Sequence, residues 1–350
     1  MNIYFRSIPV LLLFCFLIRP AQSMAQSFET PVEYLDYIGK ANEQLTLKYM
    51  VYLSSISHGK SARKVEKRRL EVLDAIHNTR MNIMGMPPFK GDKSFRDTTV
   101  AYLKILNSVF NEDFSKIVNM EEIAEQSYDG MEAYMLAQEK ANEKLQEAGK
   151  RQSETQKQFA KKNNINLLEN TSELEAKMKI ASDVMHHYNE VYLVFFKSYK
   201  QEAYLMEAVA KKNVNGIEQN INSLQTFAEQ GLEKLKTLNP YTNDASLVTA
   251  CRNMLNFYKE EAKKSAAISD FVLKEENFNK IKKKFDSKPS SSRTQQDVDE
   301  FNKAVNDMNA GINSYNNTNN ELNKKRAQAL DAWNSTVKRY MDTYVPQQRK

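Results

Sequence analysis

Cysteine, glycine and proline are scarce in this chain. Its 350 residues include 2 cysteines, 9 glycines and 8 prolines. Cys15 lies in an apolar N-terminal run, so Cys251 alone remains for a folded domain, which excludes a fold held together by intramolecular disulfides. Because apolar residues recur every three or four positions and few helix breakers interrupt them, we predict an all-α protein. Cys251 lies on one apolar stripe, and we interpret it as a buried small hydrophobe.

The motifs of common enzyme classes are also missing. The 4 histidines and the remaining cysteine cannot form a closed zinc site of the usual Cys/His kind. The chain contains no G-x-S-x-G, no phosphate-binding glycine loop and no H-E-x-x-H. We therefore expect a protein that is not an enzyme and that carries no cofactor.

Neither sign of charge dominates. Lys and Arg number 50 and Asp and Glu number 44, which gives a formal net charge of +6. Without Arg6 and Arg19, which belong to the N-terminal segment, the net charge is about +4. A chain so close to balance gives no reason to expect a nucleic-acid partner.

The N-terminal segment, residues 1–25, has the layout of a cleavable signal peptide. Arg6 precedes an apolar run over 8–18, and small residues follow at Ala21, Ser23 and Ala25. The run is about 11 residues long, shorter than the roughly 20 that a membrane span needs. Cys15 lies inside the run without the small preceding residue of a lipobox. We expect export to the periplasm, the cell surface or the medium, without a lipid anchor or a transmembrane span in the mature chain.

Helix signals divide the rest of the chain into eight predicted helices. Thr30, Pro31 and Glu33 form a capping box with proline at the first helical position. Ser94 with Asp97 starts another helix after the loop that contains Pro87 and Pro88. The predicted ranges are 31–57, 61–85, 94 to about 119–125, 128–162, 171–212, 214–238, 244–285 and 295–344.

Two proline-aromatic pairs, Pro88-Phe89 and Pro240-Tyr241, lie 152 positions apart and indicate an internal repeat. We predict an elongated bundle of two tandem units, each of roughly four helices, over 28–165 and 166–350. Its last helix would be on the order of 75 Å long. At the 152-residue offset, apolar residues coincide without a gap: Val65 with Ile217, Val72 with Leu224, Ile83 with Leu235, Phe95 with Leu247 and Leu103 with Leu255.

The last predicted helix carries an apolar seam and a row of asparagines. The seam repeats in steps of four and three, interrupted at Asn319 and Arg326, as in a coiled coil. The asparagine row could hydrogen-bond to a partner, or it could be a solvated flank. The seam comprises Phe301, Val305, Met308, Ile312, Tyr315, Leu322, Ala329 and Trp333. The row comprises Asn302, Asn306, Asn309, Asn313, Asn316, Asn320 and Asn323.

Basic residues cluster at the start of the second predicted helix and near residue 282. They could dock on acidic glycans, lipopolysaccharide or an anionic membrane, or they could be solvated outer faces of amphipathic helices. The clusters are Lys60, Arg63, Lys64, Lys67, Arg68 and Arg69, and Lys280, Lys282, Lys283 and Lys284. Arg63, Lys64 and Arg68, with Asn306, Asn313 and Asn320, form our predicted interaction surface.

Two Asp-x-x-His motifs are the candidate metal ligands. They are Asp74 with His77, and Asp183 with His186, and Glu190 lies four residues further along. Helical di-iron sites use a carboxylate and a histidine at this spacing, but with Glu and in symmetric pairs. These candidates are weak because the motifs are not repeat equivalents and the second motif lies on the polar side of its helix. His77 and His187 are expected nearer the apolar stripes.

Aromatic residues are concentrated on helical faces. They form either a filled seam between long helices or the lining of a groove for an apolar small molecule, a lipid or a haem-sized ligand. The residues are Tyr49, Tyr52, Tyr188, Tyr192, Phe195, Phe196, Tyr199 and Tyr204.

Two stretches carry a resemblance to a known family. They are Met86-Pro-Pro-Phe-Lys-Gly-Asp-Lys-Ser-Phe-Arg-Asp97 and Val32-Glu-Tyr-Leu-Asp-Tyr-Ile38, the latter followed by Asn42-Glu43-Gln44. Together they resemble a family of exported, all-helical surface proteins of unknown function, named from a leptospiral member and also found in Bacteroidetes. The resemblance covers roughly residues 30–120 and implies export and an envelope setting. We therefore expect a non-enzymatic envelope module that binds a protein or another envelope component, with metal binding and apolar-ligand binding as alternatives.

Overall fold

The computed structural model describes residues 27–167 and 173–345, and within these ranges the chain is all-α. The predicted signal peptide lies outside the described residues. The α-helices are α1 (Pro31–Ser57), α2 (Ala62–Met84), α3 (Ser94–Ser108), α4 (Phe114–Ala124), α5 (Tyr128–Lys162), α6 (Glu173–Ala210), α7 (Val214–Leu235), α8 (Ser246–Lys264), α9 (Ala266–Asp286) and α10 (Gln295–Tyr344).

Local signals determine the helix ends that were predicted most accurately. The backbone N–H of Glu33 donates to Thr30 Oγ1 at 3.2 Å, and the Glu33 carboxylate accepts from the backbone N–H of Thr30, so the predicted capping box is confirmed. The bounds of α1, α5 and α10 agree with the predicted ranges 31–57, 128–162 and 295–344. Each of these three helices begins where a side chain accepts a hydrogen bond from an unpaired N–H group of its first turn.

Two predicted helices are interrupted. The predicted helix from 94 to about 125 contains a π-helical turn, Val109–Asp113, between α3 and α4. The buried guanidinium of Arg69 donates to the carbonyl oxygen of Phe110 at 2.5 Å, so a side chain from α2 satisfies a carbonyl inside this turn. The predicted helix 244–285 is interrupted at Ser265, which separates α8 from α9.

The buried side chains form two hydrophobic cores. One is built mainly from α1 to α5 and includes Ile38, Ile76 and Leu103. The other is built mainly from α6 to α10. Ala124 and Met131, from the junction of α4 and α5, belong to this second core. Hydrophobic packing therefore crosses the boundary that we predicted between residues 165 and 166.

The two proline-aromatic loops have the same local geometry. Phe89 and Asp92 form a β-bridge, as do Tyr241 and Asp244 at the 152-residue offset, and in both loops the N–H of the aspartate donates to the carbonyl oxygen of the aromatic residue, at 2.9 and 2.8 Å. Each aspartate accepts a hydrogen bond from the N–H of the serine that starts the next helix, at 2.9 and 2.8 Å. Left-handed backbone follows each aromatic residue, with φ of 50° and 82° at residues 90–91 and 46° and 65° at residues 242–243.

The helices form two groups, α1 to α5 and α6 to α10, and the end of the last helix of each group contacts the proline-aromatic loop of that group. Lys162 Nζ at the end of α5 contacts Asp92 Oδ2 at 2.7 Å, which together with Ser94 lowers the pKa of Asp92 to about 2. The Tyr344 hydroxyl at the end of α10 donates to Asp244 Oδ2 at 3.2 Å. However, α9 and α10 contain 21 and 50 residues, against 11 and 35 in α4 and α5. Duplication of the whole unit therefore stays a prediction.

Gly231 on α7 occupies a tight contact between helices. A Cβ atom there would lie 2.9 Å from Leu255 Cδ1 on α8 and 3.1 Å from Val194 Cγ1 on α6. We expect Gly231→Ala to lower the free energy of unfolding by about 1–3 kcal/mol, because a methyl group added to a packed core forces its neighbours apart. Urea unfolding followed by circular dichroism measures the difference.

Gly39 is the matched control because it also lies inside a helix, α1, but is exposed, and a Cβ atom added there would meet no atom within 4 Å. Gly39→Ala should raise the free energy of unfolding by about 0.5–1 kcal/mol through its higher helix propensity. If both substitutions stabilise the protein, the close packing of α7 against α6 and α8 is wrong.

Candidate functional site

A cleft of about 430 Å³ opens between α1, α4, α5 and α6, with the start of α2 at one end. Its volume lies within the range of about 300–1,000 Å³ that is typical of small-molecule sites. Each helix contributes residues at helical spacing, such as Tyr49, Tyr52 and Ile56 on α1. The cleft therefore forms where faces of four helices from the two groups converge.

Aromatic side chains form the inner wall of the cleft. Tyr52 is 2% exposed, and its ring lies 5.9 Å from that of Phe114 in an edge-to-face arrangement. The half-buried ring of Tyr49 stacks against Tyr52 with centroids 6.3 Å apart. Tyr134 from α5 completes this wall. Burial raises the pKa of Tyr49 and Tyr52 well above the usual value, so both phenols stay protonated at neutral pH.

Uncharged polar side chains line the opening. Gln138, Asn142 and Gln146 follow one another at intervals of four residues on α5, so they share one face of that helix. Ser182 and Asn189 on α6 also line the cleft. Carboxamides and hydroxyls both donate and accept hydrogen bonds, so the opening can bind groups that do the same.

Two of the carboxylates of the lining pair with lysines of their own helices, which lie outside the lining. Glu143 accepts from Lys140 Nζ at 2.7 Å, and Asp183 accepts from Lys179 Nζ at 2.8 Å. The other charged lining residues are Glu139 and Lys60, one of each sign. The charges at the cleft therefore balance only when Lys140 and Lys179 are counted with the lining residues.

The structure separates the candidate metal ligands. Asp183 and His186 line the cleft, whereas Asp74 and His77 are exposed on α2, outside it. Glu190 is exposed on α6 and is not a lining residue. Over residues 27–167 and 173–345, no three His, Cys, Asp or Glu side chains are grouped so that they could hold a metal ion.

Of the two histidines that we expected near the apolar stripes, His187 is buried but His77 is not. His77 is exposed, because its position on α2 lies outside the face that carries Val72 and Ile76 into the core. His187 is 6% exposed, as expected for a histidine on an apolar stripe. Burial lowers the pKa of His187, which favours the neutral ring.

The predicted basic surface on α2 is smaller than expected. Arg63 and Lys64 are exposed, but Arg68 is half-buried and pairs with Glu71 at 2.7 Å. Placing Arg69 on the outer face was wrong, because it is 5% exposed and pairs with Glu66 while it donates to the π-helical turn. The residue that satisfies a buried carbonyl cannot also serve as a surface cation.

The apolar seam of α10 is confirmed as packing. Phe301 stacks on Phe285 with centroids 4.5 Å apart, and Trp333 stacks on Phe195 at 4.6 Å. The asparagine row, including Asn306, Asn313 and Asn320, lies exposed along the outside of the helix. Its role as a partner interface stays a prediction.

A buried charged network was missed by the sequence interpretation. Arg326, which we treated as an interruption of the seam, donates to Glu202 from Nε and to Glu261 from Nη2. Glu202 is 4% and Glu261 0% exposed. Burial, and next the carboxylate of Glu202, raises the pKa of Glu261 to about 8. A lone arginine at a seam position was the signal, because such a charge needs buried partners.

The interpretation of Cys251 as a buried hydrophobe is confirmed. The side chain is 0% exposed on α8 and contacts the carbonyl oxygen of Val191, with sulfur and oxygen 3.8 Å apart. Burial raises the pKa of the thiol to about 12, so it stays protonated at neutral pH. Cys251 therefore belongs to the second core and not to the cleft.

The chain matches no protein-family model, no curated protein and no solved structure. Within the described ranges, no helix combines the length and apolar character that crossing a membrane requires. The cleft and the residues that line it are therefore the features that bear on function.

Proposed function

We propose that this protein is an exported, non-enzymatic binding protein of the cell envelope and that the cleft between α1, α4, α5 and α6 holds a small organic ligand. The observation that carries the proposal is the convergence of tyrosines from α1 and α5 with uncharged polar side chains from α5 and α6. Binding sites typically combine such an apolar and aromatic lining with a few polar groups that orient the ligand.

The chemistry of the lining supports binding rather than catalysis. Tyr49 and Tyr52 are phenols whose raised pKa keeps them neutral, so their rings can stack and their hydroxyls can donate hydrogen bonds to a ligand. The carboxylates of Glu143 and Asp183 are engaged by lysines of their own helices.

Export is supported by the N-terminal sequence. Residues 1–25 combine Arg6, an apolar run and small residues at positions suited to cleavage. The resemblance of residues 30–120 to exported surface proteins favours the same setting. The metal-binding alternative has less support, because Asp74 and His77 lie apart from Asp183 and His186.

The test uses the full chain, expressed with residues 1–25 and isolated from the cell envelope. Mass spectrometry of this material shows whether the segment has been removed. N-phenyl-1-naphthylamine, an uncharged fluorophore that brightens in apolar surroundings, serves as the probe. We expect saturable binding at one site, abolished by Ser182→Trp, because the indole fills the cleft beside α6.

Lys177→Trp is the control, since it places the same indole on an exposed position of α6 outside the lining. It should leave probe binding unchanged, and circular dichroism should show both variants to be helical. Probe binding that is absent from the wild-type protein, or that survives Ser182→Trp, overturns the cleft as the site. An unprocessed N terminus found in the cytoplasm overturns the proposed export.

A further inference from the structure

We infer that the ligand of the cleft is a neutral, polyhydroxylated ring compound, that is, a saccharide. The inference rests on the proposed function and deepens it by naming the ligand class. Three features of the cleft carry it: its balance of charge, its two rows of hydrogen-bonding groups, and the tyrosine rings behind them.

The charge of the lining argues against an anionic ligand. Lys140 and Lys179 engage the carboxylates of Glu143 and Asp183 at 2.7 and 2.8 Å. Glu139 and Lys60 then contribute one charge of each sign. With Lys140 and Lys179 counted, the charges at the cleft balance, whereas a site for a phosphate or a carboxylate would present converging cations.

The polar groups of the opening suit hydroxyl groups. Gln138, Asn142 and Gln146 form a row on α5, and Ser182 and Asn189 lie on α6. Each carboxamide offers two N–H donors and one carbonyl acceptor. A hydroxyl group donates and accepts at once, so it uses both ends of a carboxamide, whereas an alkyl chain would leave these groups unpaired.

The aromatic wall provides the complementary apolar contact. A sugar ring carries C–H groups on its faces and hydroxyls around its edge, and the C–H face packs on an aromatic ring. Tyr49 and Tyr134 are half-buried lining residues. Tyr49 is held in place by Phe110, with ring centroids 5.6 Å apart in an edge-to-face contact. The hydrophobic core formed mainly by α1 to α5 therefore packs against this wall through Phe110.

The experiment measures competition with bound N-phenyl-1-naphthylamine, together with calorimetry of each compound alone. The neutral probes are maltose, cellobiose and N,N′-diacetylchitobiose. Glucose 6-phosphate, glucosamine and lauric acid represent anionic, cationic and lipid ligands. We expect at least one neutral disaccharide to displace the fluorophore, and we expect the other three compounds to bind at least about tenfold more weakly.

Matched variants on α5 test the polar row. Gln138→Leu removes a half-buried lining carboxamide and should weaken disaccharide binding about tenfold, the effect of losing a buried hydrogen-bond partner. Gln158→Leu makes the same change at an exposed position outside the cleft and should have no effect. Fluorophore binding should persist in both variants, which shows that the cleft is intact.

The outcomes separate the two proposals. If the fluorophore binds and Ser182→Trp abolishes its binding, but no neutral disaccharide competes, the saccharide inference is overturned while the binding cleft stands. Preferential displacement by lauric acid, glucosamine or glucose 6-phosphate overturns it in the same way. Equal effects of Gln138→Leu and Gln158→Leu contradict the role of the α5 row. Loss of the fluorophore site itself overturns the proposed function.

Discussion

Replacing Arg326 by methionine is expected to lower the free energy of unfolding by about 3–5 kcal/mol, as is typical when one partner of a buried ion pair is removed. The guanidinium of Arg326 donates to Glu202 and Glu261, which are 4% and 0% exposed. Methionine preserves much of the apolar stem but leaves both carboxyl groups buried without a cation. Urea unfolding at about pH 8, followed by circular dichroism, measures the loss.

Lys325→Met is the matched control, because Lys325 is the adjacent residue of α10 and also pairs with two glutamates, Glu260 and Glu321. Its side chain is 40% exposed, so we expect a loss of about 1 kcal/mol or less. Adding Glu202→Gln and Glu261→Gln to Arg326→Met should recover most of the lost stability, since no buried charge remains. Equal losses for Arg326→Met and Lys325→Met would contradict the burial of this network.

Rising pH is expected to destabilise the protein through Glu261. Burial, and next the carboxylate of Glu202, raises the pKa of Glu261 from 4.5 to about 8 in the folded state. In the unfolded chain this carboxyl loses its proton near 4.5, so between these two values the folded state holds more protons. The stabilisation is therefore fully present below about pH 4.5 and declines towards pH 8, by up to about 1.4 kcal/mol per pH unit.

Glu261→Gln tests this sign because the amide resembles the protonated carboxyl and cannot ionise. Urea unfolding from about pH 5 to pH 9 should show the variant close to the wild type at the acidic end and more stable at the alkaline end. Glu260→Gln is the control, since hydrogen bonds from Lys325 and Lys264 lower the pKa of Glu260 and its removal brings no alkaline gain. Wild-type and Glu261→Gln stabilities that stay parallel with pH would refute the prediction.

The helices were predictable because their signals are local. The capping box of Thr30 and Glu33 and the proline-aromatic loops are determined by residues within a few positions of each other. The π-helical turn at Val109–Asp113 was not predictable, since the group that satisfies Phe110 comes from Arg69, 41 residues away. The sequence around residue 110 carries no sign of that donor.

The candidate site was predictable only in part. Tyr49 and Tyr52 were recognised as either core or groove, and Asp183 and His186 were recognised as a polar pair. That these residues meet at one cleft depends on how α1, α5 and α6 pack, which no spacing along a single helix determines. The α5 row of carboxamides was missed because alternation of polar residues on a helix usually marks a solvated face.

Composition, periodicity and local helix-end signals were enough to establish the all-α fold of residues 27–167 and 173–345, the ends of α1, α5 and α10, and the burial of Cys251. Each of these follows from interactions within one helix or from the hydrophobicity of one face. Tertiary structure decided the cleft, the burial of Arg69 and the pairing of Arg326 with Glu202 and Glu261. These features join side chains far apart in sequence, and a buried charge reveals its partners only once the helices are packed.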